Sequence, residues 1–426
     1  MKLKQIDYIF LIFLLFVTQG DIQLKLLGIL LIFLRPQALI KISGFSKFYI
    51  IIVLFHLCYG LLNLFIDGID YLVSFWLVFI FWTISYLVIS QINFFVKRKS
   101  IEVIVRTINT FFITCVLFMI YQYMSLAIDY MSINPYNISP AAGDKMKSIY
   151  NNSSVNMIVM SFFLLYYGFR GKWNYAIVSL ICLSMTTYMS GTVIFLSCVL
   201  VSIFYFSKIK KKYKIYFLAL SIFGGTIFSY VSPSNVNYAM GYINRIIESG
   251  DRTPHKVKSF WQTLDYSTSS VSSFFFGAGG GNFSSRTAFI SSGDYVSWYP
   301  QSLLYVSEEF DKYHLGIWTH DFKNKWDNRN NTANQPFSFY NQIVGEYGLI
   351  GVLAFLMFYL GYIIKNSKRL TYSKFMVICL LGYFVLDYWF EYFSVIIIFE
   401  LLLMLDIKLN SKPQTSPNSQ PQDLLR

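Results

Sequence analysis

Long apolar runs, broken by short polar stretches, occupy most of this 426-residue chain. A helix that crosses a bilayer needs about 20 mainly apolar residues. By that measure the pattern predicts twelve transmembrane helices, at about 6–19, 22–34, 48–66, 71–95, 107–128, 155–169, 174–189, 191–207, 215–231, 349–364, 375–390 and 392–406. The first run follows Met1-Lys2-Leu3-Lys4 as a signal peptide would, but Thr18-Gln19-Gly20 is a poor cleavage site, so it reads as an uncleaved anchor. Two stretches break the pattern. One, at about 129–154, carries Asn134-Pro135 and Ser139-Pro140. The other, 232–348, mixes Gly, Ser, Asn, Asp, Arg and Trp as a soluble domain does, with helices expected at about 237–248 and 254–265 and an irregular Gly/Ser-rich stretch behind them. The tail over 407–426 is Pro/Gln/Ser-rich and reads as disordered. The chain therefore divides into helices 1–9 (1–231), a large loop domain (232–348), helices 10–12 (349–406) and the tail.

Charge orients these helices. Basic residues follow every even-numbered run: Arg35, Lys41 and Lys47; Lys97, Arg98, Lys99 and Arg106; Arg170 and Lys172; the lysines of 208–214; Lys365, Lys368, Arg369 and Lys374; Lys408 and Lys412. The short odd boundaries, Asp67 to Asp70 and the Glu391 corner, are neutral or acidic. Positively charged loops stay in the cytoplasm. The expected fold is an all-α polytopic membrane protein with about 12 transmembrane helices and both termini cytoplasmic. Its one large extracytoplasmic loop lies between helices 9 and 10. Topology accounts for much of the net charge of +13, so the charge calls for no nucleic-acid partner.

Composition excludes the soluble classes. Hydrophobic residues make up 55% of the chain and charged ones 13%, where a soluble domain carries about 25% charge. Cys58, Cys115, Cys182, Cys198 and Cys379 all sit in apolar runs with no CxxC pair, which argues against a disulfide framework and a zinc cluster. His56 in an apolar run reads as a core residue. No metal or other cofactor is expected; without an Asp-x-Asp, a metal-chelated nucleotide-sugar site has no support.

The candidate chemistry gathers in the large loop and beside it. Arg245, Arg252, Arg286 and Arg329 could offer rigid guanidinium forks to an anionic substrate, or pair with acids of the same loop such as Asp294. The run Gly277-Ala-Gly-Gly-Gly281-Asn282 is a tight turn or a place of close backbone approach; no Gly-Lys-Ser/Thr follows, so it is not a phosphate loop. Gly345, Gly348 and Gly351 recur every three residues, a spacing that lets another helix pack closely. Glu346 falls near the outer membrane boundary. Asp387 and Glu391 stand i,i+4 near the outer end of helix eleven, and Glu400 falls near the middle of helix twelve. Carboxylates within membrane segments are functional candidates unless an arginine pairs them.

Four motifs in order resemble the O-antigen polymerase/ligase superfamily of bacterial envelope glycan assembly. They are Thr186-Thr-Tyr-Met-Ser190-Gly-Thr192; Ser249-Gly-Asp-Arg252 followed by Trp261; Phe276-Gly277-Ala-Gly279 followed by Asn282-Phe283; and Phe337-Ser338 followed after nine residues by Gly348-Leu-Ile-Gly351. The resemblance covers about 185–360 and the overall topology. Two positions depart from it: Gly191 replaces an arginine, and Phe337 stands where the ligase branch has a histidine. The second departure points to the polymerase branch.

The resemblance implies a metal-independent glycosyltransferase of the bacterial inner membrane with its site facing outward. Donor and acceptor would be glycans linked to undecaprenyl pyrophosphate in the membrane lipid, with room for a chain-length regulator as partner. Arg252 and Arg286, with Arg245 and Arg329 behind them, would bind the pyrophosphate, and Asn341 the glycan. Glu346 would act as base, with Asp294 and His320 as alternatives. The other readings are a ligase, and a flippase for lipid-linked oligosaccharide.

Overall fold

The computed structural model describes residues 6–38, 44–206, 254–293, 299–317 and 335–411, with isolated positions between them. Among the described residues the regular structure is helical throughout. Eleven of the twelve apolar runs coincide with helices; the run at 215–231 lies outside the described residues.

The helices are α1 (Tyr8–Thr18), α2 (Ile22–Leu30), α3 (Ser46–Asp67), α4 (Leu72–Arg98), α5 (Ile101–Asp129), α6 (Ser153–Phe169), α7 (Trp173–Met185) and α8 (Met189–Phe206). The loop region holds α9 (His255–Ser269), α10 (Val271–Phe276) and α11 (Arg286–Ser291), and the chain continues through α12 (Phe339–Ala354), α13 (Ser373–Tyr383) and α14 (Phe393–Leu409). Four helical stretches are long and apolar enough to cross a membrane: Ser46–Ile66, Gly68–Arg98, Ile101–Asp129 and Phe339–Lys365, the last being α12 with its continuation. Shorter apolar helices accompany them among the described residues.

One short apolar helix, α14, is buried along almost its whole length. Every residue of α14 from Ser394 to Ile407 is buried. A helix hydrophobic on all sides belongs in the core, and α14 packs against α1, α4, α5, α6 and α13. Polar groups fix the ends. Asp7 caps α1 by accepting from Phe10 N, and its carboxylate pairs with Arg35 at 2.7 Å and Lys99 at 3.1 Å. Lys408 donates to the last carbonyls of α4, a cation on a helix C-terminus. Asp406 accepts from Thr371 N and Ser373 N at the start of α13. These contacts gather one end of the bundle, here the lower end. At the upper end Ser394 Oγ donates to Thr18 O, and Gly20 N donates to Ile149 O.

Two boundaries differ from expectation. The tenth helix starts at Phe339, ten residues before the expected 349, because Ser338 caps it by accepting from Tyr340 N and donating to Phe384 O. Asn341, Gln342 and Glu346 are therefore helical rather than part of the loop. The eleventh helix ends at Tyr383, so Asp387 and Glu391 lie in the turn before α14 and do not form a helical i,i+4 pair.

Asp7→Asn keeps the cap but removes the charge facing Arg35 and Lys99. Both cations retain some access to water, so the loss is about 2 kcal/mol, read as a lower melting temperature in detergent. Asp21→Asn, at an exposed cap, leaves it within error.

Candidate functional site: a turn held by two carboxylates

α9 carries its polar residues inward. Lys256, Ser259, Thr263 and Ser267 are buried, while Trp261 and Leu264 are exposed. Lys256 Nζ donates to Phe337 O and Leu386 O, and Ser259 Oγ accepts from Asn341 Nδ2 at 3.0 Å. The helix thus clamps the start of α12 to the turn before α14. Burial pushes the Lys256 amine down, against the attraction of Asp387; burial also pushes Asp387 up.

The glycine-rich run leaves α10 and is buried from Gly277 to Ser285. It is a fixed turn. Ala278 N and Gly279 N donate to Gly345 O and Glu346 O of α12. The close packing that the glycines allow is with the helix α10, at Phe275 against Gly348, and with the turn behind it, at Phe283 against Gly345. A Cβ on Gly348 would lie 2.6 Å from Phe275 C, and its φ of +56° suits glycine.

Gln342 and Glu346, one turn apart on α12, reach the next residues. Glu346 Oε1 accepts from Phe283 N at 3.4 Å and Ser284 N at 3.2 Å. Gln342 Nε2 donates to Glu391 Oε1, and Glu391 Oε2 accepts from Arg286 N at 3.1 Å. Two buried carboxyls therefore hold one short turn from two sides. Ser284 Oγ bonds Tyr388 OH at 3.2 Å, and the Arg286 guanidinium lies over the Tyr392 ring at 5.0 Å. Lys25 of α2 lies within electrostatic reach of Arg286, and Asp21 offsets that influence. Glu391 is pushed up to about 8, by burial first and the neighbouring Glu346 second, against the pull of Arg286. Near neutral pH it therefore favours its neutral form, while Asp387 remains a carboxyl within electrostatic reach of Arg286.

Of the expected site residues, Glu346 and Arg286 meet at this turn. Asn341 does not serve as a glycan ligand: it is fully buried, and its amide donates to Ser259 Oγ and Pro336 O. Arg245, Arg252, Asp294, His320 and Arg329 lie outside the described residues. Phe337 packs against Phe289 and Tyr388. Glu400, in the middle of α14, accepts from Tyr49 OH at 2.8 Å, so its partner there is a tyrosine rather than an arginine. Thr186 to Thr192 turns the chain between α7 and α8, with Thr187 against Gly143 and Gly191 against Met157. Lys25 and Gln342 complete the site unforeseen; Lys25 had left a signal, as the one charge inside the run 22–34.

Fold and composition define the class: an all-helical, membrane-embedded protein with a polar site at the upper end of its bundle. Compared with family models, with curated proteins and with solved structures, the chain finds no match.

Two outcomes follow. Unfolded, Glu391 titrates near about 4.3, so up to about pH 8 the folded chain holds a proton that the unfolded chain has lost. This contribution to stability is complete below about pH 4 and falls as pH rises toward 8. Glu391→Gln removes that slope. The wild-type melting temperature, measured against the variant's, therefore drops from about pH 5 to 8; a constant difference would show Glu391 ionised throughout. Asn341→Ala loses two buried hydrogen bonds and lowers stability by about 2 kcal/mol.

Proposed function

We propose that this protein is a glycosyltransferase that polymerises oligosaccharide repeat units linked to undecaprenyl pyrophosphate, making O-antigen or capsular polysaccharide. It works without a metal, on the outer face of a bacterial inner membrane. The observation that carries the reading is the upper-end turn, where the Glu346 and Glu391 carboxyls hold the chain at Arg286, with Lys25 within electrostatic reach. In this reading the helices make twelve spans. The lower end is cytoplasmic, in keeping with Arg35, Lys97, Arg98, Lys99, Lys368, Arg369 and Lys408 gathered there. The loop over 232–338 and the shorter one after α5 face outward.

The chemistry fits the charges. An acceptor hydroxyl oxygen bonds to the anomeric carbon of the growing chain. The bond from that carbon to the pyrophosphate breaks, and its electron pair leaves on the phosphate oxygen. Arg286 and Lys25 stabilise that oxygen, and the protonated Glu391 adds a hydrogen bond without repelling it. Glu346, held by two backbone N–H groups, takes the acceptor proton. Arg252, Arg245 and Arg329 are further candidates for the pyrophosphate, and Asp294 and His320 are alternative bases. Aromatic packing at Phe337 leaves nothing there to titrate, which favours polymerase over ligase. Lys256 and Arg286 lie in the loop region rather than between the spans, which favours either enzyme over a flippase.

The test is the surface glycan of cells lacking this chain. Loss of the ladder, with lipid core carrying one repeat unit, supports a polymerase; a normal ladder overturns it. A ladder kept on the lipid carrier but missing from its final acceptor would mean a ligase. Arg286→Ala at normal expression lowers polymer formation by about 100-fold, and Arg286→Lys retains part of it.

A further inference from the structure

The two helices before the glycine turn expose large apolar side chains. α9 buries Lys256, Ser259, Thr263, Tyr266 and Ser267 and exposes Trp261 and Leu264 beside Asp265, Thr268 and Ser269. α10 buries Ser273 and exposes Val271, Phe274, Phe275 and Phe276, between 40% and 76%. Such a pattern is unfavourable in water, because each exposed aromatic forgoes the gain of leaving it.

Depth supplies the reason. Ser46–Ile66 of α3 is 21 residues long, about 31 Å, which matches the hydrocarbon thickness of a bilayer. Its upper end therefore lies near the membrane surface. The glycine turn docks well below that end. A Cβ on Gly280 would lie 2.8 Å from His56 Nδ1, and His56 is eleven residues before the end of α3, about 16 Å down its axis. Tyr59 stacks on Phe276 with ring centroids 5.5 Å apart, and Asn63 donates to Ala278 O. On α4 the turn reaches Val78.

Irregular backbone at that depth survives only if protein satisfies its polar groups. Here it does. Four successive carbonyls, Gly277 to Gly280, accept from Tyr59 OH, Asn63 Nδ2, Asn282 N and Tyr71 OH in turn. α10 meets α3 at the Tyr59–Phe276 stack, and α3 itself exposes Leu62, Phe65 and Ile66.

We propose that α10 and the glycine turn form a re-entrant element inserted into the upper leaflet, with lipid acyl chains covering Val271 and Phe274 to Phe276. α9 lies along the interface. Trp261 sits at headgroup level, and the exposed Asp265 points to water.

Spin labels on the full-length protein in lipid vesicles test this. Cys58, exposed on α3, is replaced by serine, and that protein without added cysteine gives the background. Labels then go at Val271 and Phe275, with Leu62 as the lipid reference and Asp311 as the water reference. The expected result is that Val271 and Phe275 labels match Leu62 in the ratio of collisions with oxygen to collisions with a water-soluble nickel chelate. A ratio like that of Asp311 overturns the proposal by placing the helix in water. Low collision rates with both reagents overturn it too, since a second copy or another protein would then cover the face. Val271 is 76% exposed and tolerates the change, so it decides the matter alone if the Phe275 variant does not fold.

Discussion

A carbonyl without a donor costs several kcal/mol in hydrocarbon, and that constraint organises the upper half of this molecule. The glycine turn has four such carbonyls in a row. Their donors are Tyr59 and Asn63 on α3, Tyr71 at the start of α4, and Asn282 N within the turn. The polar side chains that interrupt two apolar helices are therefore not defects in those spans. They are the sites from which the turn is hung. The glycines answer the same need: a Cβ on Gly281 would lie 2.6 Å from Ser74 Oγ, too close for any side chain.

The anchoring extends to the site. Beyond Asn282 the chain is gripped by Glu346 at Phe283 and Ser284, and by Glu391 at Arg286. α12 supplies Gly345 O and Glu346 O to the glycines, the Glu346 carboxylate to the next residues, and Gln342 to hold Glu391. Gly348 bends this helix where α10 crosses it. The position of Arg286 thus depends on α3, α12 and the turn before α14 together. A change at Asn63 or Gly348 would reach the cation without touching it.

The helices were legible because a spanning run is long and its chemistry uniform. What failed to show follows from the same logic. The start of α12 reads as loop because Ser338, Asn341, Gln342 and Glu346 look solvent-facing; in the fold each polar group turns inward to a named partner. The helical pairing of Asp387 and Glu391 assumed that an apolar run stays helical to its end, whereas the chain leaves the helix at Tyr383. α9 was placed correctly, but nothing in its spacing says which face is buried. Periodicity marks two faces; only the surrounding solvent decides which of them is inside.

That solvent also decides what the charges mean. In water Arg286 and Glu391 would neutralise each other at little gain. In a buried site the carboxyl holds its proton to higher pH, and Arg286 then draws less on Glu391, with Asp387 still within its reach. A phosphate-bearing lipid brings its charge to this depth while its chains stay in hydrocarbon. A soluble anion would have to leave water to reach the same place, so the depth of the turn is in keeping with the lipid-linked substrate proposed for it.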